Sequence, residues 1–181
     1  SAGQFPIAAD GLSIVVKKGG AADICIENMG GLTTDQVRWI YSDYTAAELV
    51  TTGWDSMALP NSDNNDATHL WSELDVTCPS AEIKIAGADS ESGTYEFFMD
   101  AMLSDAENGE IFDSNRPDGY TNSAEDEVVV NYLESNDDSI GYFGYAYYKA
   151  NQDKLTAVAI KNDAGDYVAP SPTSVADGTY N

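Results

Sequence analysis

The sequence predicts an α/β fold: a three-layer α/β/α sandwich in which helices cover both faces of a mixed, mostly parallel sheet. Two observations carry this prediction. Segments that alternate like buried strands are followed repeatedly by segments whose apolar residues recur at helical spacing. The clearest unit is the stretch Ile83–Met102, in which a strand, a tight turn and a helix follow one another. Strands that alternate with helices are typical of layered α/β domains.

The first half of the chain contains the elements that lead up to this unit. Phe5–Val16 alternates as a strand with a break where Asp and Gly occur together, and Ile24–Ile26 is short and apolar like the end of a strand. Thr33 and Gln36 form a capping-box pattern, which predicts a helix that runs to about Tyr41.

The second half continues the alternation. Ser104–Thr121 is rich in Asp, Asn, Gly and Pro, so we expect a surface connection there. Ser123 is the expected cap of a helix over Ala124–Leu133, with Val128 on its buried side. The remaining predicted elements are one-turn helix Leu70–Leu74, strand Ile140–Tyr142, helix Tyr145–Asn151, strand Leu155–Ile160 and edge strand Tyr167–Ala169.

The composition excludes several classes of partner. The chain has 181 residues, of which 43% are hydrophobic, so it is long enough to form one domain with its own core. Its formal net charge of −23 repels nucleic acid and anionic membranes. No apolar run approaches the roughly 18 residues that a membrane-spanning helix needs. We therefore expect no nucleic-acid partner and no membrane insertion.

The turn inside Ile83–Met102 carries the candidate site. The first amides of a helix have no intrahelical acceptor and lie at the positive end of the helix dipole, so they favour an oxyanion. Ser90, Ser92 and Thr94 add hydroxyl donors, and Gly93 allows a ligand to approach the backbone closely. The alternative is a plain helix cap, because Ser, Thr and Gly commonly begin helices.

Four stretches, in order along the chain, resemble motifs of the phosphate-binding proteins that serve bacterial ABC transporters. They are PIAADGLSIVV from Pro6, LTTDQVRWIY from Leu32, GADSESGTYEFF from Gly87 and IGYFGYAYY from Ile140. The resemblance covers nearly the whole chain and implies one lobe of a type II periplasmic-binding-protein fold, with no enzymatic activity and no cofactor. It also implies a periplasmic or extracellular protein whose partners are inorganic phosphate and the permease of an ABC transporter.

The same resemblance implies that phosphate is clamped between two lobes. The chain resembles the second lobe over residues 1–181, with residues 1–16 and 169–181 as the segments that cross between the lobes. The first lobe would then be a missing partner, and we expect the second lobe alone to bind phosphate weakly. The predicted phosphate-binding residues are Asp89, Ser90, Ser92, Gly93 and Thr94 of the motif, together with Ser123 as a second helix end that faces the ligand.

Two positions depart from the family's motif. Ala88 stands where many members carry an Arg that contacts the anion, and Glu91 stands where Gly is common. We expect Glu91 to point to solvent, because an inward carboxylate would repel the anion. For Ser123, a plain helix cap is an equal alternative. Lys84 and Arg116 are the basic residues that could approach the turn, and neither is assigned to it.

Cys25 and Cys78 are the only cysteines, so they form one disulfide or remain two buried thiols. The exported character that the resemblance implies favours the disulfide, which would stabilise the fold by roughly 3–4 kcal/mol if unstrained. A zinc site is not supported, because His69 is the sole histidine and the chain contains no Cys-x-x-Cys.

Two other classes of function are weighed against anion binding. An enzyme would need His69, which has no G-x-S-x-G motif nearby, or a carboxylate pair such as Asp89 and Glu91 in a surface turn. A calcium-stabilised extracellular interaction module would use the oxygen-rich stretches Ser62–Asp66 or Asn136–Asp138, which lack the EF-hand pattern. A melting temperature raised by calcium but not by phosphate would favour that module.

Overall fold

The structure is a computed structural model, and it describes residues 11–42, 46, 69–103, 120–162 and 164–171. The described helices are α1 (Ala21–Met29), α2 (Thr34–Tyr41), α3 (Trp71–Leu74), α4 (Gly93–Phe98), α5 (Asp126–Ser135) and α6 (Tyr145–Ala150). A π-helical segment, Met99–Leu103, continues α4 directly. The described strands are β1 (Leu12–Lys17), β2 (Lys84–Ala88), β3 (Tyr120–Ser123), β4 (Ser139–Gly144), β5 (Leu155–Ala157), β6 (Ile160–Lys161) and β7 (Tyr167–Val168).

The strands form one five-stranded sheet and one hairpin. The sheet has the order β3-β2-β4-β1-β5, in which β2 pairs parallel with both β3 and β4. β1 runs antiparallel to its neighbours β4 and β5, so the other four strands of the described sheet share one direction. β6 and β7 form a separate antiparallel pair. The predicted mixed, mostly parallel sheet is therefore confirmed.

Helices cover both faces of the sheet, as the three-layer prediction requires. Along β4, Tyr142 packs into the apolar cluster that contains the buried residues of α1, α2 and α4. The next residue, Phe143, packs into a second cluster that contains the buried residues of α5. Both rings are fully buried. This alternation follows from the strand geometry, because successive side chains point to opposite faces.

The capping box predicted for α2 is confirmed. The Thr33 hydroxyl accepts a hydrogen bond from the Gln36 amide at 3.0 Å, and the Gln36 side chain accepts one from the Thr33 amide at 2.9 Å. The amphipathic pattern then buries Val37, Ile40 and Tyr41 completely. The predicted helical turn at Leu70–Leu74 is also present, as α3.

The structure corrects the prediction of a strand end at Ile24–Ile26, because these residues lie in α1. Ala22, Cys25 and Ile26 are buried, whereas Ile24 is 54% exposed. That spacing of three and four residues is helical, and a three-residue window is too short to distinguish it from a strand. Gly30 ends the helix in the left-handed conformation, with φ of 87°.

The structure also corrects the prediction around Ser123. Residues 120 and 121, expected in a surface connection, begin β3, and Ser123 ends that strand. α5 begins at Asp126 with Glu125 as its N-cap, so Ser123 is not the cap. The Ser123 hydroxyl instead accepts a hydrogen bond from the Glu125 amide at 3.0 Å. The buried face of α5 also differs from the predicted one: Val128 is 40% exposed, and the buried residues are Val129, Val130 and Leu133.

A disulfide joins Cys25 in α1 to Cys78 after α3, with their Cα atoms 5.0 Å apart. This is the bridge that the resemblance favours. Both cysteines are buried in the core. The bond therefore holds α1 against the segment that precedes β2.

Several predictions concern residues outside the described ranges. They are the start of the Phe5–Val16 strand, most of the crossing segments 1–16 and 169–181, the oxygen-rich stretch Ser62–Asp66, and Arg116.

Candidate anion-binding site

The candidate site lies at the carboxyl edge of the parallel strands. β2 ends at Ala88, which is in register with Ser123 at the end of β3. The Asp89 amide then donates a hydrogen bond of 3.2 Å to the Ser123 carbonyl, so the turn after β2 is fastened to the end of β3. α4, α5 and α6 follow β2, β3 and β4 in the chain. Ligands of open α/β sheets bind at this kind of edge.

The turn itself is held by its own hydrogen bonds. The Ser92 amide donates to the Asp89 carbonyl at 2.9 Å, and the Glu91 amide donates to Asp89 Oδ1 at 2.8 Å. The Ser92 hydroxyl accepts from the Tyr95 amide at 3.1 Å, so Ser92 is the N-cap of α4. Ser92 therefore does cap the helix, as the alternative interpretation of this turn predicts. Its hydroxyl proton is still able to donate, because a serine hydroxyl carries one donor besides its acceptor sites.

The amides of Gly93 and Thr94 are the donors that remain. Within the part of the chain that the structure describes, neither amide has an acceptor. Gly93 is exposed, and a Cβ placed on it would meet nothing within 4 Å. We call these two amides, together with the hydroxyls of Ser90, Ser92 and Thr94, the anion seat. Ser90 and Gly93 of this seat are exposed, whereas Ser92 and Thr94 are half-buried.

The residues of the turn and of the neighbouring strand end differ in exposure and in hydrogen bonding. Ser90 and Glu91 are exposed, so Glu91 does face solvent as expected. Asp89 is half-buried at the base of the turn, where it orders the backbone. Ser123 is brought beside the turn by the β2–β3 pairing, although its hydroxyl is engaged with Glu125. The fold thus gathers Asp89, Ser92 and Ser123 at one edge.

Lys84 and Arg38, two of the described basic residues, are engaged with other groups of the protein. Lys84 begins β2, roughly 13 Å along the strand from Ala88, and its ammonium pairs with Asp138 at 3.2 Å. Arg38 pairs with Asp35 at 2.9 Å and donates to the carbonyl of Met102, at the far end of the helical segment. The backbone and hydroxyl donors are therefore the features of the described site that favour an anion.

Carboxylates raise the negative charge at the neighbouring helix. Asp126 and Glu127 lie in the first turn of α5. Burial raises the pKa of the Tyr147 phenol, and the charges of Glu127 and Asp126 raise this pKa further. The start of α5 is thus already occupied by the protein's own negative groups, which argues against a second anion position there.

The residues of the competing interpretations have structural roles. His69 is fully buried and its ring stacks on Trp39 at a centroid distance of 4.0 Å. The carboxylates of Asp137 and Asp138 pair with Lys17 and Lys84. Among the described residues, no three His, Cys, Asp or Glu side chains are grouped so that they could hold a metal ion. None of the described helices combines the length and the apolarity needed to cross a bilayer.

The contact between Tyr142 and Gly87, just before the turn, is not predicted from the sequence. The ring of Tyr142 lies directly on Gly87, so close that a Cβ on Gly87 would be 2.2 Å from Tyr142 Cε1. Strand alternation places Gly87 on the same face as Ile85, which is a usable signal. The partner ring, however, comes from a different strand, and its position depends on the order of the strands in the sheet.

Comparisons with known proteins identify the relatives of this chain. No family model matches it. The phosphate-binding protein PstS of Staphylococcus saprophyticus is 29% identical over 177 residues, which cover 98% of this chain and 43% of that protein. Protein SphX of Synechococcus elongatus is 28% identical over 178 residues, again 98% of this chain and 43% of the relative. The chain thus spans less than half the length of these relatives.

A solved structure gives the same result. The crystal structure of a possible phosphate binding protein from Planctomyces limnophilus matches 95% of this chain and 49% of its own, with a TM-score of 0.64 and 26% sequence identity. None of these three proteins is named as an enzyme, in agreement with the prediction that the chain is not one. The resemblance indicated by the four motifs is confirmed: over nearly its whole length the chain is similar to the phosphate-binding protein PstS and to protein SphX, and its coverage of 43% of each fits a single lobe.

Proposed function

We propose that this chain binds phosphate, or another tetrahedral oxyanion, at the anion seat and supplies one half of a two-lobed clamp. In this proposal the amides of Gly93 and Thr94 and the hydroxyls of Ser90, Ser92 and Thr94 contact the anion. Asp89 orders the turn, and Ser123 lies beside it at the end of β3. The observation that carries the proposal is the pair of amides at the start of α4, of exposed Gly93 and half-buried Thr94, that have no acceptor among the described residues.

The strength of binding follows from the number of donors. A hydrogen bond to a charged acceptor contributes about 1.5–3 kcal/mol net. Two amides and the nearby hydroxyls therefore supply several kcal/mol, from which the cost of association is subtracted. The proposal assigns no cation to the anion seat, so none is added to this estimate. We expect the chain by itself to bind phosphate with a Kd of about 1 mM or weaker.

The geometry of the chain supports a partner lobe on the same side as the anion seat. The Gly11 carbonyl, just before β1, accepts a hydrogen bond of 2.7 Å from the Tyr145 amide at the start of α6. The crossing segment that ends at β1 therefore joins the lobe at the carboxyl edge of β4. A first lobe connected there would be placed to cover the anion seat and add its own ligands.

We further propose that the complete protein delivers phosphate to the permease of an ABC transporter outside the cytoplasm. The names of the relatives support phosphate binding, and the disulfide between Cys25 and Cys78 supports an oxidising compartment. The periplasm and the extracellular space both meet this requirement.

A proline at the first helical position tests the role of the Gly93 amide. Gly93→Pro removes that N–H but suits the first turn of a helix, and Ser92 before it is already extended, with φ of −88° and ψ of 151°. We expect phosphate binding to weaken at least about tenfold, the loss of one charge-assisted hydrogen bond. Amide proton–nitrogen correlation spectra, recorded during a phosphate titration, would measure this at the Thr94 signal.

Thr34→Pro is the matched control, because Thr34 occupies the same position at the start of α2. It should leave phosphate binding unchanged. Equal effects of the two substitutions would contradict the assignment of the site. Micromolar binding by the unmodified chain would contradict the half-clamp, since so few donors do not supply that affinity.

A further inference from the structure

One aromatic ring contacts both ends of the segment that contains the anion seat. Tyr142 of β4 lies against Gly87 in β2, and it stacks on Phe98 of α4 with a centroid distance of 3.8 Å and an interplanar angle of 3°. The anion seat lies between these two positions in the chain. The ring of Tyr142 therefore fills space between the strand and the helix that flank the seat.

The contact with Gly87 is possible because glycine has no side chain. A Cβ at this position would lie 2.2 Å from Tyr142 Cε1 and 2.6 Å from Cζ, far inside van der Waals contact. Gly87 does not have a positive φ. The space for the ring explains this glycine, whereas backbone conformation does not.

Tyr41 of α2 packs against the same strand and helix from another side. Its ring meets Phe98 at 4.8 Å and Tyr142 at 5.7 Å, edge-on in both cases. Its hydroxyl donates a hydrogen bond of 3.0 Å to the carbonyl of Ala86, the residue before Gly87. Tyr41, Phe98 and Tyr142 are all fully buried, so this aromatic support does not touch the anion itself.

We propose that Tyr142 is a positioning residue for the anion seat, an inference that rests on the proposed function. The amides of Gly93 and Thr94 bind an oxyanion only if α4 is held at a fixed distance and angle from the end of β2. Tyr142 contacts both elements with its ring, and Tyr41 supports the same two elements through its hydroxyl on Ala86 and its ring on Phe98. Without its ring, α4 shifts toward the space left behind, and the two amides no longer converge on one oxygen.

The test compares neighbouring residues of β4. Tyr142→Leu removes the ring between Gly87 and Phe98, whereas Phe143→Leu removes an equally buried ring on the opposite face of the sheet. Tyr142→Phe keeps the ring and is the conservative control. We expect Tyr142→Leu to weaken phosphate binding about tenfold, measured by the shift of the Gly93 and Thr94 amide signals. Phe143→Leu and Tyr142→Phe should stay within about twofold of the unmodified chain.

A second readout needs no ligand. The Tyr95 and Glu96 amides donate to Ser92 at the start of α4, and their hydrogen exchange reports whether this first turn is held in place. Exchange at both amides should accelerate in Tyr142→Leu more than in Phe143→Leu, at a temperature where both variants are folded. Equal acceleration in the two leucine variants would overturn the inference.

The two readouts separate this inference from the proposed function. If the unmodified chain shows no phosphate-dependent shift but Tyr142→Leu still accelerates exchange selectively, the proposed function fails and Tyr142 remains the residue that positions the turn. If phosphate binds but Tyr142→Leu binds it as well as Phe143→Leu does, the positioning role fails alone. Should Tyr142→Leu not fold, Gly87→Ala replaces it, because the added Cβ displaces the same ring, and the same outcomes apply.

Discussion

The starts of α2 and α4 are both capped by a hydroxyl, but they differ in the residues that come after the cap. α2 begins Thr-Asp-Gln, so its first turn carries the Asp35 carboxylate, and the Gln36 side chain folds back on the cap. α4 begins Gly-Thr-Tyr, and the acid of its first turn, Glu96, is an exposed fourth residue. The positive end of the α2 dipole is thus complemented by the protein, whereas no carboxylate occupies the first three helical positions of α4, where we propose the anion site.

The start of α5 extends this comparison. It resembles the start of α2, because Asp126 and Glu127 complement its dipole. It differs from the start of α4 in this respect, although Ser123 brings a hydroxyl to the same edge of the sheet. A hydroxyl before a helix is therefore a poor indicator of an anion site. The absence of a carboxylate from the first three helical positions is the more informative feature.

Converting the start of α4 into one like that of α2 should have the largest effect. Thr94→Asp places a carboxylate at the second helical position, as Asp35 is in α2. We expect phosphate binding to be lost, while the helix is stabilised by about 0.3–1 kcal/mol. A phosphate titration and thermal unfolding of the same sample would measure both changes.

Thr94→Asn is the control for that substitution, since it has a similar size and no charge. Its side-chain amide can donate in place of the Thr94 hydroxyl, so it should lose far less binding than Thr94→Asp. Retained binding in Thr94→Asp would show that the absence of a carboxylate from the first three helical positions is not what admits the anion.

Removing the two capping hydroxyls should separate stability from binding. Thr33→Ala and Ser92→Ala each delete a hydrogen bond to the third helical amide, so each should cost about 1 kcal/mol of unfolding free energy. Ser92→Ala should also weaken phosphate binding several-fold, because its hydroxyl donates to the anion. Denaturant unfolding and phosphate titration of both variants would show whether only the α4 cap has this second role.

The smallest expected effect concerns the carboxylates at the start of α5. Glu127→Gln should lower the raised pKa of Tyr147 toward its ordinary value, because it removes one of the charges that disfavour the phenolate. A raised pKa in the folded state stabilises the fold at and below neutral pH, and this contribution is lost as pH rises past the ordinary value of about 10. The variant should lose less stability in that alkaline range, measurable by ultraviolet absorbance of tyrosinate and by unfolding at high pH.

The sequence carried enough information for α2 and for the strand, turn and helix around the anion seat, because each has a local signal. The capping residues and the buried side of α2 follow from spacing alone. The strand β3 does not, since its residues Tyr-Thr-Asn-Ser have no apolar alternation and are ordered by pairing with β2. The prediction of Ser123 as a helix cap is wrong for the same reason, because local patterns do not show where an edge strand ends.

Within the site, the hydrogen-bond donors could be predicted from the sequence, but the aromatic residues that pack behind them could not. The residue types at Ser92, Gly93 and Thr94 indicate the start of a helix. The contact between Tyr142 and Gly87 depends on β4 lying next to β2, which is a property of the strand order. The roles of the surrounding charges likewise depend on distant partners, as Lys84 shows by pairing with Asp138.

The disulfide between Cys25 and Cys78 closes a covalent ring of chain that includes α2 and α3. A single peptide-bond cut inside that ring leaves the two products attached through sulfur, with the anion seat on the piece that carries Cys78. Their separation then requires a reductant as well as a protease. In a compartment without reductants, one proteolytic cut between Cys25 and Cys78 leaves all of the polypeptide in a single covalent molecule.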